Sequence, residues 1–269
     1  MRFYVKISRS KSGIGLYHAY KSILERGLET VDDLYKADVA ILLGAWDHKL
    51  SRLAREARHM GMPYVVAPLG DLSPWNRGHP SARRWVKKGW YQRSLARDAA
   101  CLIATTPMEK EQLLRLGWQE DVRMVRYPVY TGMATEATMA EGFNAICRSV
   151  LADSERLLRE RIADMSDDPI CRQLLAIYAR MPHRDIPADM MGRLHRLLMA
   201  DDYDEDSLAR EIGQLRLTHF SASLFQAMRG ITGLTEGFMP LPPREDRLAR
   251  RIAGYVREEA TEGTEETTT

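Results

Sequence analysis

With 269 residues the chain suits one large domain or two modest ones, and either can bury a proper core. Apolar residues make up 45% and charged residues 28%, ordinary for a soluble fold, and a formal net charge of +2 carries no global signal for nucleic acid. Cys101, Cys147 and Cys171 lack metal or redox spacing, so no metal site is expected and they read as buried thiols in a reducing compartment. The start Met1–Ile7 is too short and interrupted for a signal peptide, and no apolar run approaches about 18 residues. The expectation is a cytoplasmic protein without a spanning segment.

In chain order, strand and helix patterns alternate. Phe3 to Ile7 is a short apolar run, followed by Ser12-Gly13-Ile14-Gly15 and a helical segment to Gly27. Val39 to Leu43 is continuous and β-rich, the pattern of a strand covered on both faces. Leu50 to Met60 has helical period, and Gly61 is placed to stop it. Tyr64 to Ala67, Cys101 to Ala104 and Val122 to Val125 supply further strands. Regular βα alternation predicts an α/β domain with a doubly wound parallel sheet of four or five strands, whose ligands bind at the carboxyl ends.

Composition then changes. All five Trp lie at or before Trp118, the last Lys is Lys110, and every later long basic side chain is Arg. This places a module boundary near Gly132: domain 1–131, a helical domain 132–257 and a Glu/Thr-rich tail 258–269 that reads as disordered. Helical patterns run over Phe143–Met165, Ile170–Met181, Met190–Met199, Ser207–Leu217, Phe220–Met228 and Leu248–Val256, with no strand pattern between them.

Several residues carry chemical potential. Gly13 and Gly15 let backbone N–H groups approach a phosphate or sugar, or simply make a tight turn. His18 either reaches a cleft or is a solvated helix histidine. Trp46, Asp47 and His48 close a strand, and Asp47 also suits an N-cap. Asp71 is a candidate base for an acceptor hydroxyl, or a loop aspartate that bonds its own backbone. Thr106 followed by Glu109 spells a capping box. From Arg77 to Arg97 seven basic residues, among them Arg83, Arg84, Lys87 and Lys88, meet no acid, with Trp85, Trp90 and Tyr91 interleaved. Such a helix suits an anionic membrane surface, nucleic acid, or a solvated face with its Trp turned inward.

The order Gly44-Ala45-Trp46, then Pro63-Tyr64-Val65-Val66-Ala67-Pro68-Leu69-Gly70-Asp71-Leu72-Ser73-Pro74-Trp75, then Thr105-Thr106-Pro107-Met108-Glu109 resembles the N-terminal, acceptor-side half of family 4 glycosyltransferases of the GT-B fold, over roughly residues 1–130. The resemblance implies a truncated Rossmann-like domain with Gly13, Gly15, His18, Trp46, Asp47, His48, Gly70 and Trp75 around an acceptor cleft and Asp71 as its catalytic candidate. It departs at Leu69, where the family carries Arg or His, and at Tyr127, where the family carries Asn. The family holds its nucleotide-sugar through two glutamates spaced E-x7-E in a second Rossmann domain. Here Glu236-Gly237-Phe238-Met239-Pro240 and Glu245 give E-x8-E among helical patterns, with Pro242-Pro243 blocking the helix that should follow. No donor-site motif and no resident cofactor are read from the chain.

Three functions follow: a glycosyltransferase of glycan or polysaccharide biosynthesis, its donor a nucleotide-sugar held by the helical region or a catalytic partner chain; a noncatalytic subunit that binds a glycan or lipid-linked acceptor, a membrane or a partner; and a nucleic-acid-associated protein, the least favoured. Arg83, Arg84, Lys87 and Lys88 are the expected contacts to an anionic membrane at its inner face.

Overall fold

The protein is described by a computed structural model covering residues 1–8, 15–73, 82–128, 134–164, 168–200 and 202–257, with the backbone alone for 82–88, 90, 159, 161–164 and 257. Gly13, Trp75 and the tail 258–269 lie outside the described residues, as do the side chains of Arg83, Arg84, Lys87 and Lys88. The chain divides into two compact units, Met1–Leu157 and the residues from Leu158 onward.

In the first unit β1 (Phe3–Ile7), β2 (Val39–Leu43), β3 (Tyr64–Ala67), β4 (Cys101–Ala104) and β5 (Val122–Met124) form one parallel sheet of five strands in sequence order. The β2, β3 and β4 strands are buried at every position, so their unbroken apolar runs reflect cover on both faces. Between the strands lie α1 (Gly15–Gly27), α2 (His48–His59), α3 (Ala82–Arg97) and α4 (Pro107–Leu116). Asp47 caps α2 by accepting from the Lys49 N–H, and Gly61, at φ 66°, receives the chain after the helix ends.

A sequential strand order looks singly wound, yet the winding is double. A lone parallel bridge joins Phe3 to Thr30 on the outer side of β1, with the Phe3 N–H donating to Glu29 O and the Val31 N–H donating to Phe3 O. The crossover through α1 therefore carries the chain to a one-residue remnant of a strand, and the later crossovers travel the other way from β1. Right-handed crossovers demand that such helices lie on opposite faces, and they do. On one face Tyr20 and Leu24 of α1 share a core with Phe3, Val5, Val39, Ile41, Val65 and Ile103. On the other, the Tyr64 hydroxyl donates to Leu95 O of α3 at 2.9 Å. The winding reverses between β1 and β2, the position where such sheets bind ligands at their carboxyl edge.

The long α5 (Glu136–Asp164) explains why the division falls at Leu157 rather than near Gly132, where composition changes. Met139, Phe143, Cys147 and Val150 of α5 join the α1 side of the sheet core. A Cβ added to Gly27 would lie 2.3 Å from the Ala140 Cβ, so glycine sets the close approach of α1 to α5. Each fully buried side chain of Phe143 size contributes about 1.5–3 kcal/mol through burial.

The second unit is helical: α6 (Pro169–Arg180), α7 (Ala188–Met199), α8 (Glu205–Gln214), α9 (Thr218–Ile231) and α10 (Arg247–Tyr255). Its core includes Leu174, Ile177, Leu194, Leu198, Phe220, Phe225 and Ile252, and Tyr178 meets Phe220 edge-on at 5.0 Å. Asp168 and Asp204 cap α6 and α8 through backbone N–H groups. One departure from helices alone is a two-residue parallel pair, Ile186–Pro187 with Val256–Arg257. Pro187 keeps Ile186 extended, and Ile186 is fully buried, which suffices for a short ladder. Among the described residues this unit contains no βαβ repeat.

Candidate functional site

Two loops meet at the carboxyl edge of the sheet. After β2 the chain turns through Gly44 at φ 96° and Trp46 at φ 59°. A Cβ on Gly44 would lie 2.9 Å from the Ser8 Cβ and 3.3 Å from the Tyr17 ring, so space and backbone angle both require glycine. Trp46 holds its left-handed conformation because its N–H donates to Gln92 Oε1 of α3 at 2.6 Å. Its indole N–H donates to Asp71 O at 2.8 Å.

After β3 the chain turns through Leu69 at φ 53° and Gly70 at φ 81°. A γ-branched residue in the left-handed region costs about 1–2 kcal/mol and persists only where its surroundings fix it. Two contacts do so: the Tyr17 hydroxyl donates to Leu69 O at 3.4 Å, and the Gly70 N–H donates to Glu109 Oε1 at 2.7 Å. The other oxygen of Glu109 accepts from the Thr105 N–H and hydroxyl, both at 2.7 Å. Thr106 caps α4 by accepting from the Glu109 N–H at 3.2 Å, as expected. The reciprocal half of the capping box is absent, because the buried Glu109 carboxylate instead ties the loop after β3 to the loop after β4.

Beside these loops opens a cavity of about 430 Å³, bordered by Leu16 and Tyr20 of α1, Leu69, Gly70 and Ser73, and Thr105, Glu109, Gln112 and Tyr127. That volume lies within the range of small-molecule pockets, about 300–1,000 Å³. Its lining offers hydroxyls, one amide and the Glu109 carboxylate already engaged by the two loops, beside apolar surface, with no Lys or Arg among the described residues. Tyr20 and Tyr127 stack at 5.0 Å, and the Tyr20 hydroxyl is buried without a hydrogen-bond partner among the described residues. Burial, and then the nearby Glu109 charge, push the Tyr20 phenol well above its ordinary value, so it stays a neutral donor.

The expected site residues are dispersed around this edge. Trp46, Asp47, Gly70 and Asp71 lie on the two loops, and the Asp71 carboxylate is buried and accepts from the Ala45 N–H at 3.0 Å. Asp71 thus bonds the backbone of the loop after β2, far from it in sequence, rather than its own. Asp47 is the cap of α2, and His48 is exposed and meets Tyr91 edge-on at 5.9 Å. Gly15 and His18 are exposed at the start of α1. Gly13 and Trp75 fall outside the described residues. Tyr20, Gln112, Gln92 and the bridging role of Glu109 were not legible as site features; only Glu109 and Gln112 lie close after a strand end, and Tyr20 and Gln92 sit within helices far from one in sequence.

In the helical unit, ligand atoms of Asp168, Cys171 and Glu211 lie within 4.8 Å of one another. Asp168 is occupied as the cap of α6, and burial, then Asp168 and Glu211, push the Cys171 thiol up to about 12. The trio is a helix start with a neutral thiol beside it. Glu236, the first glutamate of the E-x8-E pair, is exposed and pairs with Arg229 at 2.9 Å. No helix among the described residues is long and apolar enough to cross a membrane.

Residues 8–128 match the family model described as glycosyl transferase 4-like domain. No curated protein and no solved structure matches the chain. Residues 8–128, which carry β2 to β5 with their paired loops and most of the lining of the cavity beside them, are thus a glycosyltransferase 4-like segment in the N-terminal part of this chain.

Proposed function

We propose that this chain takes part in glycan or polysaccharide biosynthesis by binding a glycan acceptor at the carboxyl edge of its glycosyltransferase 4-like sheet. The observation that carries the reading is the cavity beside Leu69 and Gly70, which Tyr20 lines while its hydroxyl lies buried without a hydrogen-bond partner among the described residues. A buried donor left unpaired costs about 1–3 kcal/mol, and a ligand oxygen would relieve it. Ser73, Thr105, Thr106 and Gln112 add donors and acceptors at the rim, while Leu16, Leu69 and Met108 offer apolar surface. Neutral hydroxyls beside apolar patches suit a saccharide better than a phosphate, since no cation lines the cavity among the described residues.

One observation favours a noncatalytic version of this role. Asp71 is buried and engaged with the Ala45 N–H, which leaves it poorly placed to take a proton from an acceptor hydroxyl. On that version a nucleotide-sugar donor, if used, is held by a catalytic partner chain.

Saturation-transfer NMR with a panel of neutral oligosaccharides tests the reading. Binding to the parent protein that falls about tenfold or more in Tyr20→Phe is expected, one lost hydrogen bond in a dry site. Equal binding by parent and variant, or none by the parent, refutes it. Product formation from a nucleotide-sugar by the isolated chain, abolished in Asp71→Asn, would refute the noncatalytic version.

A further inference from the structure

A second cavity, of about 670 Å³, lies between α2 and α3, against the face of the sheet that carries Tyr64. Four guanidinium groups line it, Arg55 and Arg58 from α2 with Arg93 and Arg97 from α3, against one carboxylate, Asp98. Arg58 and Arg97 both pair with Asp98, whose side chain is 7% exposed, and Ser94 donates to the same carboxylate at 3.1 Å. That cluster fixes the inner wall. Arg55 and Arg93 are exposed and form no ion pair among the described residues. The acids nearest them in sequence are used elsewhere: Glu56, beside Arg55, accepts from the Tyr35 hydroxyl at 2.6 Å, and Asp98, nearest to Arg93, is taken by Arg58 and Arg97.

We infer that this groove is a binding site for a phosphate ester, gripped by Arg55 and Arg93 over a floor set by the Arg58–Asp98–Arg97 cluster. Four positive groups facing one negative group leave an excess that repels itself until an anion enters. A guanidinium presents a planar fork that matches phosphate oxygens two at a time, and it keeps its charge at every working pH. The half-buried Tyr91 supplies one wall; its hydroxyl donates to Trp46 O at 3.3 Å, which holds the side chain in place. The site shares no lining residue with the cavity beside Leu69, so the two ligands bind independently of each other's contacts. The phosphate could belong to a soluble ester or to a lipid headgroup, and the chemistry of capture is the same.

Isothermal titration at low salt with pyrophosphate as the probe tests the site. Arg55→Gln with Arg93→Gln should weaken binding at least about tenfold, the loss of two charge-assisted contacts, while oligosaccharide binding is unchanged. Both positions are exposed, so the double variant should fold as the parent does. Flotation with phosphatidylglycerol vesicles assigns the source: retention lost in the double variant points to a lipid headgroup, and pyrophosphate binding without retention points to a soluble ester. No pyrophosphate binding by the parent, or equal binding by the double variant, overturns the inference. Failure of the oligosaccharide experiment alone leaves this site standing.

Discussion

Replacing Glu109 by Gln should cost far more stability than a surface glutamate change would. The carboxylate accepts three hydrogen bonds of 2.7 Å, one at Oε1 from Gly70 and two at Oε2 from Thr105, in a side chain that is almost wholly buried. A Gln has one acceptor oxygen, so its NH2 must face either the Gly70 or the Thr105 N–H, donor against donor. Losing one charge-assisted bond and stranding one buried N–H sums to about 2–4 kcal/mol. For a unit of this size that is a fall in Tm of roughly 4–16 °C. Urea unfolding followed by tryptophan fluorescence measures it. Glu111→Gln is the matched control, since that exposed side chain makes only an i,i+4 pair with Arg115 and should change stability by less than about 0.5 kcal/mol. If Glu109→Gln matches Glu111→Gln, the carboxylate does not brace the two loops and the argument for a built cavity edge fails.

Gly44→Ala combines a positive φ with a 2.9 Å clash against Ser8, and a loss of about 2–4 kcal/mol in urea is expected; an unchanged midpoint would contradict it. Asp98 is pushed up by burial, but its hydrogen bond from Arg97 and the charge of Arg58 outweigh this and hold it below its ordinary value. Its contribution is therefore present above the unfolded carboxylate pKa, about 3.9, and is lost as pH falls further. Stability curves of the parent and Asp98→Asn should converge below about pH 4, and parallel curves would refute this. Cys101, Cys147 and Cys171 are free and buried, and burial pushes Cys101 up to about 12. Ellman's reagent should find no reactive thiol until urea unfolds the chain; stoichiometric labelling of the native protein would show a thiolate that the fold does not contain.

The parallel sheet was legible because β2, β3 and β4 are covered on both faces and so read as unbroken apolar runs. The caps Asp47 and Thr106 were legible because an N-cap is local chemistry. The domain boundary was not: composition turns at Gly132, but helical period alone cannot say that Phe143 and Cys147 bury against the sheet. The short Ile186 and Val256 pairing joins residues far apart in sequence, which no window detects. At the site, sequence placed Asp71 and Trp46 at strand ends but not the bonds between them, Ala45 N–H to the carboxylate and indole N–H to Asp71 O. Glu109 looked like half of a capping box because its spacing from Thr106 fits one, and only the neighbouring loop revealed a better set of donors.

The single bridge at Thr30 also sets the tempo of the sheet edge. Lys6 and Ser8 point their amides toward β2, as the Ser8 N–H bond to Leu43 O shows, while the alternation of a strand turns the Val5 and Ile7 amides outward. Phe3 alone finds an acceptor on that outer side, at Glu29, among the described residues. Hydrogen exchange along β1 therefore alternates residue by residue: the inward amides are released only when the sheet opens as a whole, and Val5 and Ile7 exchange through local fluctuation. The strand that begins this chain is locked on one side and loose on the other.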